Sequence, residues 1–138
     1  MKFRETRWPP TDLEILKEIY RRHYSTFVSF QSEPGDRTTK VYVPIDIKEL
    51  AQHFHIDADI IFGRLYYHLE PKYGFRNADV HFFALRAGTD SQAIQFPLLA
   101  SVISQLRAER AKHLVATALA IVAILISLVS LGVSLVAR

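Results

Sequence analysis

Apolar positions are spaced in two ways along this chain. As far as about residue 97 they come in short amphipathic runs, whereas Leu114 to Ala137 is 24 consecutive positions without a charged side chain. In the first part, Thr11 and Glu14 make a capping box behind Pro9 and Pro10, opening a helix with Leu13, Leu16, Ile19 and Tyr20 on one face. A loop over 32–39, SEPGDRTT, leads to a strand at Lys40 to Ile45 that Pro44 makes short or confines to an edge. Asp46 and Glu49 start a second helix with Ile47, Leu50, Ala51 and Phe54 inward. After a tight turn at His55 and Ile56, Asp57 caps a third helix carrying Ile60, Ile61, Leu65 and Leu69, which Pro71 and Gly74 are expected to stop. Val80 to Arg86 and Gln92 to Phe96 flank the turn AGTDS and read as a hairpin.

The long uncharged run reads as a membrane span. At about 1.5 Å per residue it reaches roughly 36 Å, enough to cross a hydrocarbon core of about 30 Å with some tilt. The start of the chain, MKFRETRWPPTDLE, has no apolar run, so no export signal is expected. Arg107, Arg110 and Lys112 precede the span while Arg138 alone follows it. The positive-inside rule therefore puts the N-terminal part in the cytoplasm, the layout of a tail-anchored, single-pass protein.

Within the span, ten of the 24 residues are Ala, Gly, Ser or Thr, and seven of them fall on one line: Ala116, Ala120, Ala123, Ser127, Ser130, Ser134 and Ala137. Their alternating spacing of four and three is a 3.5-residue repeat, the period that keeps a seam facing a neighbouring helix. Small residues there let backbones approach in lipid, and Ser hydroxyls can bond across. The expected partners are the bilayer and further copies of the chain.

Helix, strand, helix, tight turn, helix, hairpin is an order found in winged helix-turn-helix domains. The segment Ile47 to Leu69, IKELAQHFHIDADIIFGRLYYHL, resembles that family's central motif, with small Ala51 where two helices cross and Leu50, Phe54, Ile56 and Ile61 at its apolar positions. His55 stands where Gly is common, and Arg64 where an apolar residue is usual. The resemblance covers about Asp12 to Phe96 and implies an α+β fold: a small winged-helix-like domain followed by one long helix that becomes a single transmembrane span. The expected divisions are a domain at 1–97, a connecting amphipathic helix at 98–113 and the span at 114–137.

Charge narrows what such a domain would do. From Pro44 to Glu70 two basic residues, Lys48 and Arg64, stand against five acidic ones, Asp46, Glu49, Asp57, Asp59 and Glu70. Affinity for a row of phosphates comes largely from Lys and Arg, so this segment is a poor nucleic-acid reader. Arg76 to Asp90, the expected wing, adds two basic and two acidic side chains. The formal net charge of +3 over 138 residues is mild. The pattern favours a protein-binding platform, and Phe62, Tyr66 and Tyr67 are its candidate partner surface, although the same aromatics suit a core.

Residues for catalysis are sparse. With no Cys there is neither a thiol nucleophile nor a Cys zinc site, and Gly at 35, 63, 74, 88 and 132 makes no phosphate or dinucleotide loop. His53, His55, Asp57 and Asp59 alternate as metal ligands would on a strand, but helical periodicity makes them diverge and suits the two Asp to capping. No cofactor and no catalytic or metal site is expected.

Pro97 suits the first turn of a helix, and no Pro or Gly interrupts Leu98 to Leu131, so domain and span are expected to share a helix. The seam continues backward in register through Leu99, Val102, Leu106, Glu109 and His113, leaving Leu98 and Ile103 to pack on the domain. The expected function is a non-enzymatic, oligomerising adaptor or scaffold. A membrane-tethered transcription regulator and a pore-forming effector gated by its cytosolic domain are the alternatives.

Overall fold

The computed structural model describes residues 8–30, 37 and 39–138; the charged start at 1–7, and all of the expected 32–39 loop except Arg37 and Thr39, lie outside them. The chain divides into two units, Met1–Ile103 and Ser104–Arg138. The first mixes helices with a three-stranded antiparallel sheet.

Helix α1 (Asp12–Val28) opens on the complete Thr11–Glu14 capping box. Its buried stripe is Ile15, Leu16 and Ile19, with Leu13 and Tyr20 only half-buried. The inward face is thus rotated from the expected one, because Ile15 lies one helical turn below Ile19 whereas Leu13 falls at the border of that face. Strand β1 (Tyr42–Pro44) is shorter than Lys40 to Ile45 and lies at an edge, where Pro44 deprives no neighbour of a donor.

Helix α2 (Ile47–Phe54) is capped by Asp46, whose carboxylate accepts from Glu49 N at 3.0 Å. Glu49 does not return the bond; its carboxylate meets Arg22 of α1 instead. Ile47, Leu50 and Ala51 are buried and Phe54 half-buried. The helix ends in a Schellman turn: His55 N donates to Gln52 O at 3.2 Å and Ile56 N to Ala51 O at 3.0 Å. His55 takes the left-handed conformation at φ 55°, ψ 40°, the place where glycine is usual.

Asp57 caps α3 (Ala58–Gly63) by accepting from Asp59 N at 2.8 Å. A π-helical turn (Arg64–Leu69) and α4 (Glu70–Tyr73) continue it. Ile61, Leu65 and Leu69 are fully buried at spacings of four, whereas Ile60 sits off that line and is 49% exposed, against its expected inward position. Pro71 does not stop the helix. A proline clashes with the carbonyl four residues back and donates nothing, but here the turn ahead of it is widened, Glu70 N reaching Leu65 O. Gly74 ends the helix, and a Cβ there would fall 2.7 Å from Glu70 O.

Strands β2 (Phe83–Ala87) and β3 (Asp90–Gln95) pair in register from Phe83↔Ile94 to Ala87↔Asp90, so the loop is only Gly88 and Thr89, with Gly88 at φ 63°. Val80 joins no strand; it makes an isolated bridge with Phe75. The strand order β1-β3-β2 puts β2 at an edge, with no further strand beside it among the described residues.

Helix α5 (Phe96–Val136) starts directly after β3, Gln95 Oε1 accepting from Leu98 N at 2.8 Å. Within the first unit, Phe96, Leu99, Val102 and Ile103 close the core beside Phe82, Phe83 and Ile94. This corrects the backward extension of the seam, because Leu99 and Val102 are 0% and 3% exposed and have no surface to offer another chain. The amphipathic stripe there serves the domain core, and its match to the downstream 3.5 register carries no association. In the second unit every residue from Arg107 onward is exposed, giving one long apolar helix compatible with a single membrane span.

Candidate functional site

Two surfaces stand out, one in each unit. The distal half of α5 presents apolar side chains all round, with none of its most apolar 18-residue window buried. A helix hydrophobic on every side is the pattern of a membrane span or of a deeply buried core helix, and this one is compatible with a single span. Its hydroxyls fit a span: Thr117 donates to His113 O at 2.9 Å, Ser127 to Ala123 O at 2.9 Å and Ser134 to Leu131 O at 2.8 Å. Three of the four hydroxyls in the uncharged run are thereby satisfied by their own helix, Ser130 being the fourth. Two of the three seam serines, Ser127 and Ser134, therefore spend their protons at home, and only their oxygen lone pairs remain for a neighbour. Ala116, Ala120, Ala123, Ser127, Ser130 and Ser134 all lie exposed along α5, and Ala137 follows its last residue.

In the first unit, α3 and the π turn bring Phe62, Tyr66 and Tyr67 together. Phe62 stacks on Tyr66 with ring centroids 5.4 Å apart, Tyr67 meets Tyr66 edge-on at 5.0 Å, and Phe62 meets Phe83 of β2 at 6.1 Å. Phe62 and Tyr66 are half-buried, while Tyr67 is 73% exposed. Phe62 thus braces the cluster against the sheet, Tyr66 stacks on it and Tyr67 stands in solvent. Beside it, Tyr66, Tyr67 and Pro71 face Phe83, Leu85 and Arg86 across an open groove of about 450 Å³. Glu70 fixes the groove's floor, one carboxylate oxygen accepting from Phe83 N at 2.7 Å and the other meeting His81 Nδ1 at 2.7 Å. Leu85 escaped sequence reasoning as a surface residue, because VHFFALR has no alternation to tell it from Phe82 or Phe83.

Charged groups elsewhere are committed to holding helices together. Glu18, 9% exposed, accepts from Arg21 Nη2 and Arg22 Nε at 2.6 Å each, and Arg22 bridges on to Glu49 of α2. The Arg21 hydrogen bond is the main cause holding the Glu18 carboxyl down at about 2, with Arg22 helping against the opposing effect of burial. Burial lowers the half-buried His23 below the ordinary histidine value, Glu49 partly opposing it. Arg64 pairs with Asp12 of α1, and His68 Nε2 lies 3.3 Å from the same carboxylate.

His53, His55, Asp57 and Asp59 are not gathered into a site. His53 lies 3.8 Å from Glu18, His55 closes the Schellman turn, Asp57 is a cap and Asp59 occupies the first turn of α3. Among the described residues, no three His, Asp or Glu side chains are placed to hold a metal ion. Compared with models of protein families, with curated proteins and with solved structures, the chain matches none.

Proposed function

We propose that this is a single-pass membrane protein whose N-terminal domain, a winged-helix-like module on the cytoplasmic side, docks a protein partner without catalysis and is clustered by its membrane helix. The observation that carries this reading is the distal half of α5: 24 consecutive uncharged residues, exposed throughout, next to a unit that already has its own core. Residues with no soluble surface to cover are in place to meet lipid, and the line from Ala116 to Ala137 gives a second copy a face of close approach. Arg107, Arg110 and Lys112 ahead of the span support the cytoplasmic orientation. The order α1, β1, α2, α3, β2, β3, with the Schellman turn between α2 and α3, supports the winged-helix likeness.

Docking of protein is favoured over nucleic acid because Arg64, one of two basic residues between Pro44 and Glu70, is already paired with Asp12. Asp57 and Asp59 occupy the start of α3, where a recognition helix would meet bases. The test is single-cysteine crosslinking of the full chain in membranes. Disulfide dimers at Ser127 and Ser130 should form more readily than at Leu128 and Val129; equal yields at all four positions would remove the seam from the proposal.

A further inference from the structure

The outer edge of β2 lies beside the aromatic face and, among the described residues, pairs with no strand. Phe82 O accepts from Gln95 N at 3.0 Å, toward β3, while Phe83 N points the other way, to Glu70. Backbone groups alternate sides along an antiparallel strand, so Leu85 also turns its N–H and C=O outward, beyond the reach of Glu70. Leu85 itself is 46% exposed and Tyr67, across the groove, 73%. Among the described residues, Arg76 and Arg86 have no acidic partner, whereas Glu70 is used twice within the fold. The groove therefore combines open ladder positions, an apolar wall and two uncommitted cations.

We infer that the groove between Tyr66–Tyr67 and β2 binds an extended acidic peptide, which adds to the sheet at Leu85 and sets its carboxylates against Arg76 and Arg86. This deepens the docking role proposed above and rests on it. Strand addition supplies main-chain bonds of low sequence selectivity, and side chains of one parity would enter between Tyr67 and Leu85. Charge then selects the peptide, since a lysine-rich strand would face both arginines. A nucleic-acid backbone fits less well, because two arginines cannot match a continuous row of phosphates.

The test uses the full chain in lipid nanodiscs and a fluorescein-labelled decapeptide alternating Glu with Val or Tyr. Fluorescence anisotropy should saturate. Affinity should fall about tenfold or more when Lys replaces Glu in the peptide, and again in the Arg76→Glu, Arg86→Glu double variant. N-methylating alternate peptide nitrogens should abolish binding, and the Leu85 amide should exchange more slowly when peptide is present. Equal affinity for the lysine peptide, indifference to N-methylation, or preferential binding of duplex DNA lost in the same double variant would each overturn the inference. So would a Leu85 amide protected without peptide in proportion to protein concentration, which would give this edge to a second copy. With Ser127 and Ser130 crosslinking retained, any of those results removes the peptide and leaves the membrane-clustering proposal standing. Loss of crosslinking with peptide binding intact does the reverse.

Discussion

Replacing Leu99 with Ala separates the two roles that its place in α5 suggests. Leu99 is 0% exposed and lies in the core with Phe96, Val102 and Ile103. Truncation there removes apolar area from a dry site and leaves a cavity the helix cannot close by moving, because neighbours on both sides along α5 are themselves packed. Losses of this kind run to about 2–5 kcal/mol, a large part of the roughly 5–15 kcal/mol that holds a domain of this size together. With a urea dependence of about 1–3 kcal/mol per molar, a loss of about 3 kcal/mol lowers the midpoint by about 1–3 M. The assay is urea unfolding of the full chain in nanodiscs, followed by near-ultraviolet circular dichroism, to which packed rings such as Tyr20, stacked 5.1 Å from Phe96, contribute. Crosslinking at Ser127 in native buffer should stay at its unsubstituted level. An unchanged midpoint together with weakened crosslinking would refute the placement of Leu99 in the core and restore it to a seam between chains.

Acid should destabilise the first unit in two stages, read as the thermal midpoint against pH. His23 has a lowered folded value, so the stability it contributes as a neutral ring is present above about 6.5 and declines as pH falls below that. Glu18 follows, its contribution fading from about 4.5 down to about 2. The second stage is worth at most about 3 kcal/mol, and less in salt because Arg21 is 68% exposed; Glu18→Gln should flatten it while leaving the first stage. His55→Gly should raise stability by up to about 1 kcal/mol in the same thermal assay, by relieving a left-handed non-glycine residue. Ile60→Glu should change it by no more than about 0.5 kcal/mol, whereas Ile61→Ala, one position on, should cost about 2–5 kcal/mol. A reversed ranking at 60 and 61 would mean the inward face of α3 is misplaced.

Local chemistry was legible wherever one residue type has one good use. Thr11, Asp46 and Asp57 cap helices as their sequence context implies, and Pro44 lies in an edge strand. Long-range competition was not legible. Glu49 could close a capping box or meet Arg22, and only the fold puts Arg22 within reach. Pro71 reads as a stop until a widened turn makes room for it. The stripe at Leu99 and Val102 illustrates the general difficulty: a 3.5-residue repeat marks a buried face without naming what buries it, and here the domain's own sheet and helices do so. For the aromatic face, residue type pointed to Phe62, Tyr66 and Tyr67, but the groove needs the opposite wall, and Leu85 becomes exposed only through the register of β2.

Because the chain contains no cysteine, single cysteines can be placed along α5 without background. Spin labels at successive positions from Leu106 to Ala137, in full-length protein reconstituted into bilayers, report contact with dissolved oxygen, which concentrates in lipid, and with a polar nickel chelate, which does not. The account predicts that oxygen contact rises and nickel contact vanishes after about Leu114, with the deepest values near Leu125, the middle of the uncharged run. Strong nickel contact across Leu119 to Leu131 would contradict it, and with it the membrane span and the clustering that depends on it.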